Sequence, residues 1–257
     1  MSHLGFIKGT ALFAGLLLLM SCAGPEPDPL VLKERSAATV NDSTLYHAFM
    51  MRCSGLEITP ADEAAKDKSL SAFILHLRQV VAEKNTPALL ELLDDEIVSS
   101  HGGGITGKKG FESYWDLQKD PASSALWNKL DRAISLGGCF DELERKPVFI
   151  MPYLQAGHYF KNGCDFDWYN TYICLLPETK LYEQPNHQSA VIAKLKYKVV
   201  AKEADAADVN AFVPLSTIDH NIKGYVDVND VYLCADHMLV LEKEQDSWII
   251  KSFSPFD

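Results

Sequence analysis

Within residues 70–81 the apolar positions fall at 70, 73, 74, 77, 80 and 81, one face of a 3.6-residue period, which predicts an amphipathic helix. Thr86 followed by Pro87 is expected to cap a short second helix carrying Leu89, Leu90, Leu92 and Leu93. Residues 96–100 read as a short strand running into Gly102-Gly103-Gly104. Residues 108–118 predict a helix with Phe111, Tyr114 and Trp115 on one side. Ser123 or Ser124 is expected to cap another, running through Ile134 and ended by Gly137-Gly138. From about Pro147 the period changes. Residues 148–151, 171–176, 190–195, 199–201, 224–228 and 231–234 are short β-type runs between turn residues. His237 to Glu244, a turn near Gln245-Asp246, and residues 247–254 suggest a closing hairpin. Helices first and strands second predict an α+β fold.

The N-terminus belongs to none of these elements. Residues 1–9 carry one charge, Lys8, and 11–20 form an apolar run broken only by Gly15. Spanning a bilayer takes roughly 20 apolar residues, so this run reads as the core of a removed export signal. Leu19-Met20-Ser21-Cys22 resembles the bacterial lipobox. That resemblance implies a signal peptide over 1–21 and diacylglycerol, hence palmitate-type acyl chains, on the thiol of Cys22. Residues 22–40, with Pro25, Pro27 and Pro29, read as a tether. The implied location is the cell envelope, lipid-anchored and facing the periplasm, with Ala23 favouring the outer membrane.

Composition narrows the partners. The chain is 47% hydrophobic and 23% charged, which is ordinary for a globular protein, and its net charge is −11. An acidic chain argues against nucleic acid and against anionic surfaces. Apart from Cys22 there are five cysteines, Cys53, Cys139, Cys164, Cys174 and Cys234, an odd number. Export permits disulfides. Cys164 and Cys174 could close across a turn, and the connectivity stays open. With no C-x-x-C and no clustered histidines, no metal or cofactor is expected.

Residues 171–233 resemble a divergent bacterial SH3-like domain. The resemblance rests on Leu181-Tyr182-Glu183-Gln184-Pro185, on residues 189–195, and on Gly224-Tyr225-Val226 leading to Val231-Tyr232-Leu233. It implies a small barrel in which Val191, Ile192, Leu195, Val199 and Val226 fill the core. The family's usual central Trp is absent, with Phe212-Val213 in its place. The expected organisation is therefore a mainly helical domain over 41–165, an SH3-like β-barrel over 166–234, and a C-terminal hairpin over 235–257 that packs back on the first domain. Exported bacterial proteins of this arrangement supply no activity to carry over.

Several motifs invite catalysis and fall short of it. Gly102 to Gly107 satisfies G-x-G-x-x-G outside any βαβ unit, and Lys109 stands where a phosphate loop needs Ser or Thr. His101-Gly102-Gly103-Gly104 matches an oxyanion-hole motif, but no G-x-S-x-G accompanies it. Cys139 and Cys164 are each followed by acids, which raise a thiol's pKa. Asp94, Asp95, Glu96, Asp165 and Asp167 lack calcium-loop spacing and read as solvated charge. The dense aromatic stretch from Tyr153 to Tyr172 suits an interface between domains. The function expected is thus a non-enzymatic envelope binding module for peptide, glycan or protein, peptidoglycan included. Trp168, Tyr182, Glu183 and Tyr225 are its candidate ligand contacts. The second reading places a small-molecule or hydrolytic pocket in the helical half, near Gly102 to Trp115.

Overall fold

The computed structural model describes residues 53–257, apart from His101, Gly103, 158–163, Asp165, 204–205 and 256–257. The signal, Cys22 and the tether lie outside the described residues.

Asp67 opens α1 (Lys68–Ala82), its carboxylate accepting from the backbone N–H groups of Ser69 and Leu70. The predicted face is the buried one: Leu70, Ile74, Leu77, Val80 and Val81 point into the core. The cap of α2 (Thr86–Leu92) is Asn85, whose side chain accepts from the Ala88 N–H; Thr86 sits inside the helix instead of capping it. The chain then runs through β1 (Leu93–Ser100) and β2 (Ile105–Thr106) into α3 (Gly107–Tyr114) and α4 (Leu126–Ser135). Next come β3 (Cys139–Leu143) and β4 (Lys146–Met151). The stretch expected to be mainly helical thus also holds four strands. β3 was not visible in the pattern, because Asp141 and Glu142 break its apolar alternation.

β5 (Thr171–Cys174), β6 (Thr179–Tyr182), β7 (Val191–Leu195), β8 (Val199–Lys202), β9 (Phe212–Thr217), β10 (Lys223–Asp227) and β11 (Val231–Leu233) follow. The chain closes with β12 (His237–Glu244) and β13 (Ser247–Pro255). Among the described residues there are two sheets, antiparallel throughout except that β1 runs parallel to β13. The first has the order β2-β1-β13-β12-β4-β3 and the second β11-β5-β8-β9-β10-β6-β7. The fold is mixed α+β.

The C-terminal hairpin supplies the two central strands of the first sheet. Leu239 pairs with Met151 and Val240 with Ile150, so the whole second sheet leaves the chain between two neighbouring strands of the first. Phe149, Met151, Leu239, Leu241, Ile250 and Phe253 face the four helices, whereas Val148, Ile150, Met238 and Val240 form a cluster on the opposite face. The described residues make one compact unit, with a shared core where the sheets meet. That junction gathers Tyr153, Phe166, Ile173, Val199 and Tyr232, with Trp168 packed against it.

One expectation about the second sheet fails. Val191 and Ile192 do not fill its core: they are 43% and 44% exposed, because β7 is an edge strand with no neighbour beyond it. Val199 turns toward the junction, so the core on the other face is built by Cys174, Leu181, Leu195, Val200, Val213, Leu215 and Val226. The disulfide pairing, open from the sequence, does not close the Cys164–Cys174 turn. Cys164 bonds to Cys53, 111 residues earlier, in the junction core. Cys174, on β5, points into the second sheet's core instead.

Candidate functional site

α3 ends in a turn that prepares a cavity wall. The Leu117 N–H donates to the Glu112 carbonyl at 2.9 Å and the Asp116 N–H to that of Ser113 at 3.3 Å. This is the six-to-one and five-to-two pattern that closes helices through a left-handed residue. Here that residue is Asp116, with φ of +53°, where glycine is usual. The loop that follows is pinned at several points. The Ser124 hydroxyl donates to the Trp115 carbonyl at 2.6 Å and accepts from the Leu126 N–H at 3.2 Å. The Lys84 ammonium donates to the Ala122 carbonyl at 2.7 Å, and the Trp127 indole N–H to that of Pro121.

Between this loop, α4 and the start of β12 lies a cavity of about 450 Å³, lined by Tyr114, Trp115, Asp116, Lys119, Asp120, Ser123, Ser124, Ala125, Lys129 and His237. Trp115, 7% exposed, stacks on Phe253 with centroids 5.5 Å apart and stands 5.0 Å from the His237 ring. Tyr114 meets Trp115 edge-on at 5.0 Å.

Behind the wall, Asp236 Oδ1 accepts from the His237 backbone N–H at 2.7 Å, from Lys129 Nζ at 2.7 Å, and from His237 Nδ1 at 3.0 Å. Burial disfavours the Asp236 carboxylate, but the bonds from His237 and Lys129 outweigh it and hold the carboxyl well below the usual range. A carboxylate only accepts, so Nδ1 of His237 carries the proton of that bond. Nε2 is buried with no hydrogen-bond partner, as is the Trp115 indole N–H. Further hydrogen bonds tie down the corner. Gln155 donates to the carbonyls of Cys234 and Asp236, and the Tyr232 hydroxyl donates to the His237 carbonyl at 3.0 Å.

A second hollow, of about 550 Å³, lies on the sheet face away from the helices, over Val98, Val148, Met238 and Val240. Much of its charge is spent internally, Lys251 on Asp94 at 2.7 Å and Lys146 on Glu242 at 3.5 Å.

The candidate contacts named from sequence do not form one face. Tyr182 on β6 lies directly opposite Tyr225 on β10, and Glu183 follows exposed beside them. Tyr182 itself is buried, its ring edge-on to those of His187 and Phe212. Trp168 is partly buried and packs against the junction core. Gly102 and Gly104 lie in turns between the antiparallel β1 and β2. Asp94 and Asp95 are paired with Lys251 and Lys108, and no metal-holding cluster occurs among the described residues. Sequence reasoning reached Tyr114 and Trp115 but not Lys129, Asp236 or His237. A lysine and an aspartate 107 residues apart carry no joint signal in a single chain.

No family model, characterised protein or solved structure matches the chain.

Proposed function

We propose that this chain is an exported, lipid-anchored envelope protein that binds a small ligand in the cavity between α3, α4 and the start of β12. In this reading Cys22 carries the anchor, residues 22–40 are the tether, and the second sheet is a divergent SH3-like barrel serving as a companion module. The observation that carries the reading is the cavity's construction. Pockets of about 300–1,000 Å³ with aromatic walls and a few placed polar groups are where small molecules bind. Lys129 and His237 are both committed to Asp236, which braces the wall. Contact with a ligand then falls to Tyr114, Trp115 and the charged residues of the loop. The braced wall supports a binding role for the cavity.

The test is thermal denaturation of the full chain, in a detergent without a sugar headgroup, against a panel of saccharides, amino acids and nucleosides. Saturating ligand at 100 times its Kd adds about 2.7 kcal/mol, a rise of several degrees. Ala125→Trp, which fills the cavity, is expected to abolish the rise. A shift that survives Ala125→Trp places binding elsewhere. Co-sedimentation with peptidoglycan sacculi, lost on Tyr225→Ala, would then transfer the function to the second sheet.

A further inference from the structure

We propose that the turn between β6 and β7, residues 183–190, is a pH-sensitive latch over the Tyr182 and Phe212 rings, closed by the charged imidazole of His187. The turn is a self-contained piece. The Glu183 N–H donates to the Ala190 carbonyl at 2.9 Å and the Ser189 N–H to that of Asn186 at 3.3 Å. The Gln184 N–H donates to the Ser189 hydroxyl at 2.9 Å, and the Gln188 N–H to Asn186 Oδ1 at 3.1 Å. The His187 ring reaches across to the neighbouring strands. It stands edge-on to the Phe212 ring of β9 at 4.9 Å and to the Tyr182 ring of β6 at 5.8 Å. Its Nε2 lies 3.2 Å from Asp227 Oδ2 of β10. Tyr182 and Phe212 are 5% and 4% exposed, whereas the His187 side chain is 60% exposed. The imidazole is thus the outermost of the three rings. Lifting it uncovers the other two beside Tyr225, which pairs with Tyr182 across the ladder.

The charges around this ring set the sign of the response. Asp227 Oδ1 accepts from the backbone N–H and the side-chain amide of Asn229, which fixes the carboxylate and leaves Oδ2 for His187. Asp230 lies on the turn that follows β10. Burial, and then the charge of Asp227, raise its carboxyl, while His187 and Lys180 pull the other way. Glu183, on the latch itself, is exposed. A protonated His187 therefore meets the carboxylates of Asp227 and Asp230, with Lys180 the cation that competes for Asp230. An imidazole changes charge over roughly pH 5–8. The ion pair is present while His187 holds its proton and is lost as pH rises, so acid closes the latch and alkali loosens it. Because the pair is exposed, its loss changes how often the turn lifts by about two- to fivefold.

The experiment is hydroxyl-radical footprinting of the full chain at about pH 6 and about pH 8, inside that range, read by mass spectrometry. Oxidation of Tyr182 and Phe212 is taken relative to that of the exposed Tyr169. Both are expected to oxidise about two- to fivefold faster at the higher pH. His187→Gln keeps a hydrogen-bond donor without a titrating charge and should remove the pH dependence. Asp227→Asn keeps an acceptor for Asn229, loses the charge that attracts His187, and should remove it too. His187→Ala takes away the ring as well and should raise oxidation at the lower pH to the wild-type level at the higher one or beyond. Equal oxidation of the wild type at both pH values overturns the latch. So does a rise with pH that persists in His187→Gln or Asp227→Asn, or oxidation of His187→Ala that stays at the wild-type level at the lower pH.

Discussion

Asp236 is a carboxylate held ionised by its neighbours, and its titration gives a signed expectation. Its folded-state pKa lies below the ordinary value of 3.8, so its stabilising contribution is complete above that value and is lost as pH falls toward the depressed one. Asp236→Asn should therefore lower stability by about 2 kcal/mol at neutral pH, the worth of charge-assisted hydrogen bonds. Urea unfolding across a pH series should show the gap to wild type closing below the ordinary carboxyl value. A gap of constant size down the acid limb would contradict an ionised Asp236. The buried thiols act in the opposite sense. Desolvation pushes Cys174 up to about 12 and Cys234 higher, so neither supplies thiolate at neutral pH. They are packing groups in the junction core and in the core of the second sheet.

At the scale of elements, the junction after α4 depends on two adjacent glycines with different reasons for being glycine. Gly137 takes φ of +77°, which ends the helix. Gly138 has ordinary torsions, but a Cβ there would stand 2.4 Å from the Phe149 ring and 2.5 Å from the Ile150 carbonyl. Gly138→Ala should cost about 2–4 kcal/mol, since backbone and a fully buried ring must both move. Equilibrium denaturation measures it, and a loss below about 1 kcal/mol would mean that β4 yields more easily than its central packing suggests. The helix face of α1 and the strand runs after Pro147 were legible because one side of each is buried, which imprints a period on the residues. β3 and the capping role of Asn85 were not. An edge strand with acids on it has no period, and Asn and Thr are both good caps, so only the hydrogen bond separates them.

At the scale of the whole molecule, the Cys53–Cys164 bond ties the start of the described chain to the junction core across 111 residues. Replacing both cysteines with alanine should lower stability by about 3–4 kcal/mol, because a loop of this length loses much entropy when closed. Denaturant unfolding of the double variant checks this, and an unchanged midpoint would argue that the junction is set by packing alone. The proposed anchor has its own test. Cys22→Ser is expected to abolish incorporation of labelled palmitate and to release the chain from the membrane fraction. Label retained in that variant would remove the lipoprotein reading while leaving the cavity proposal intact.

The sequence by itself determined the class of the fold and the positions of most elements, because hydrophobic periodicity is a local consequence of burying one face. It also determined the export-signal and lipid expectation, which is read from contiguous residues. The tertiary structure alone decided that the last two strands stand at the centre of the first sheet, that Cys164 finds Cys53, and that Lys129, Asp236 and His237 meet behind Trp115. Each of these joins residues far apart in the chain. Such pairings are chosen by which faces can be buried together, and no single segment carries that information.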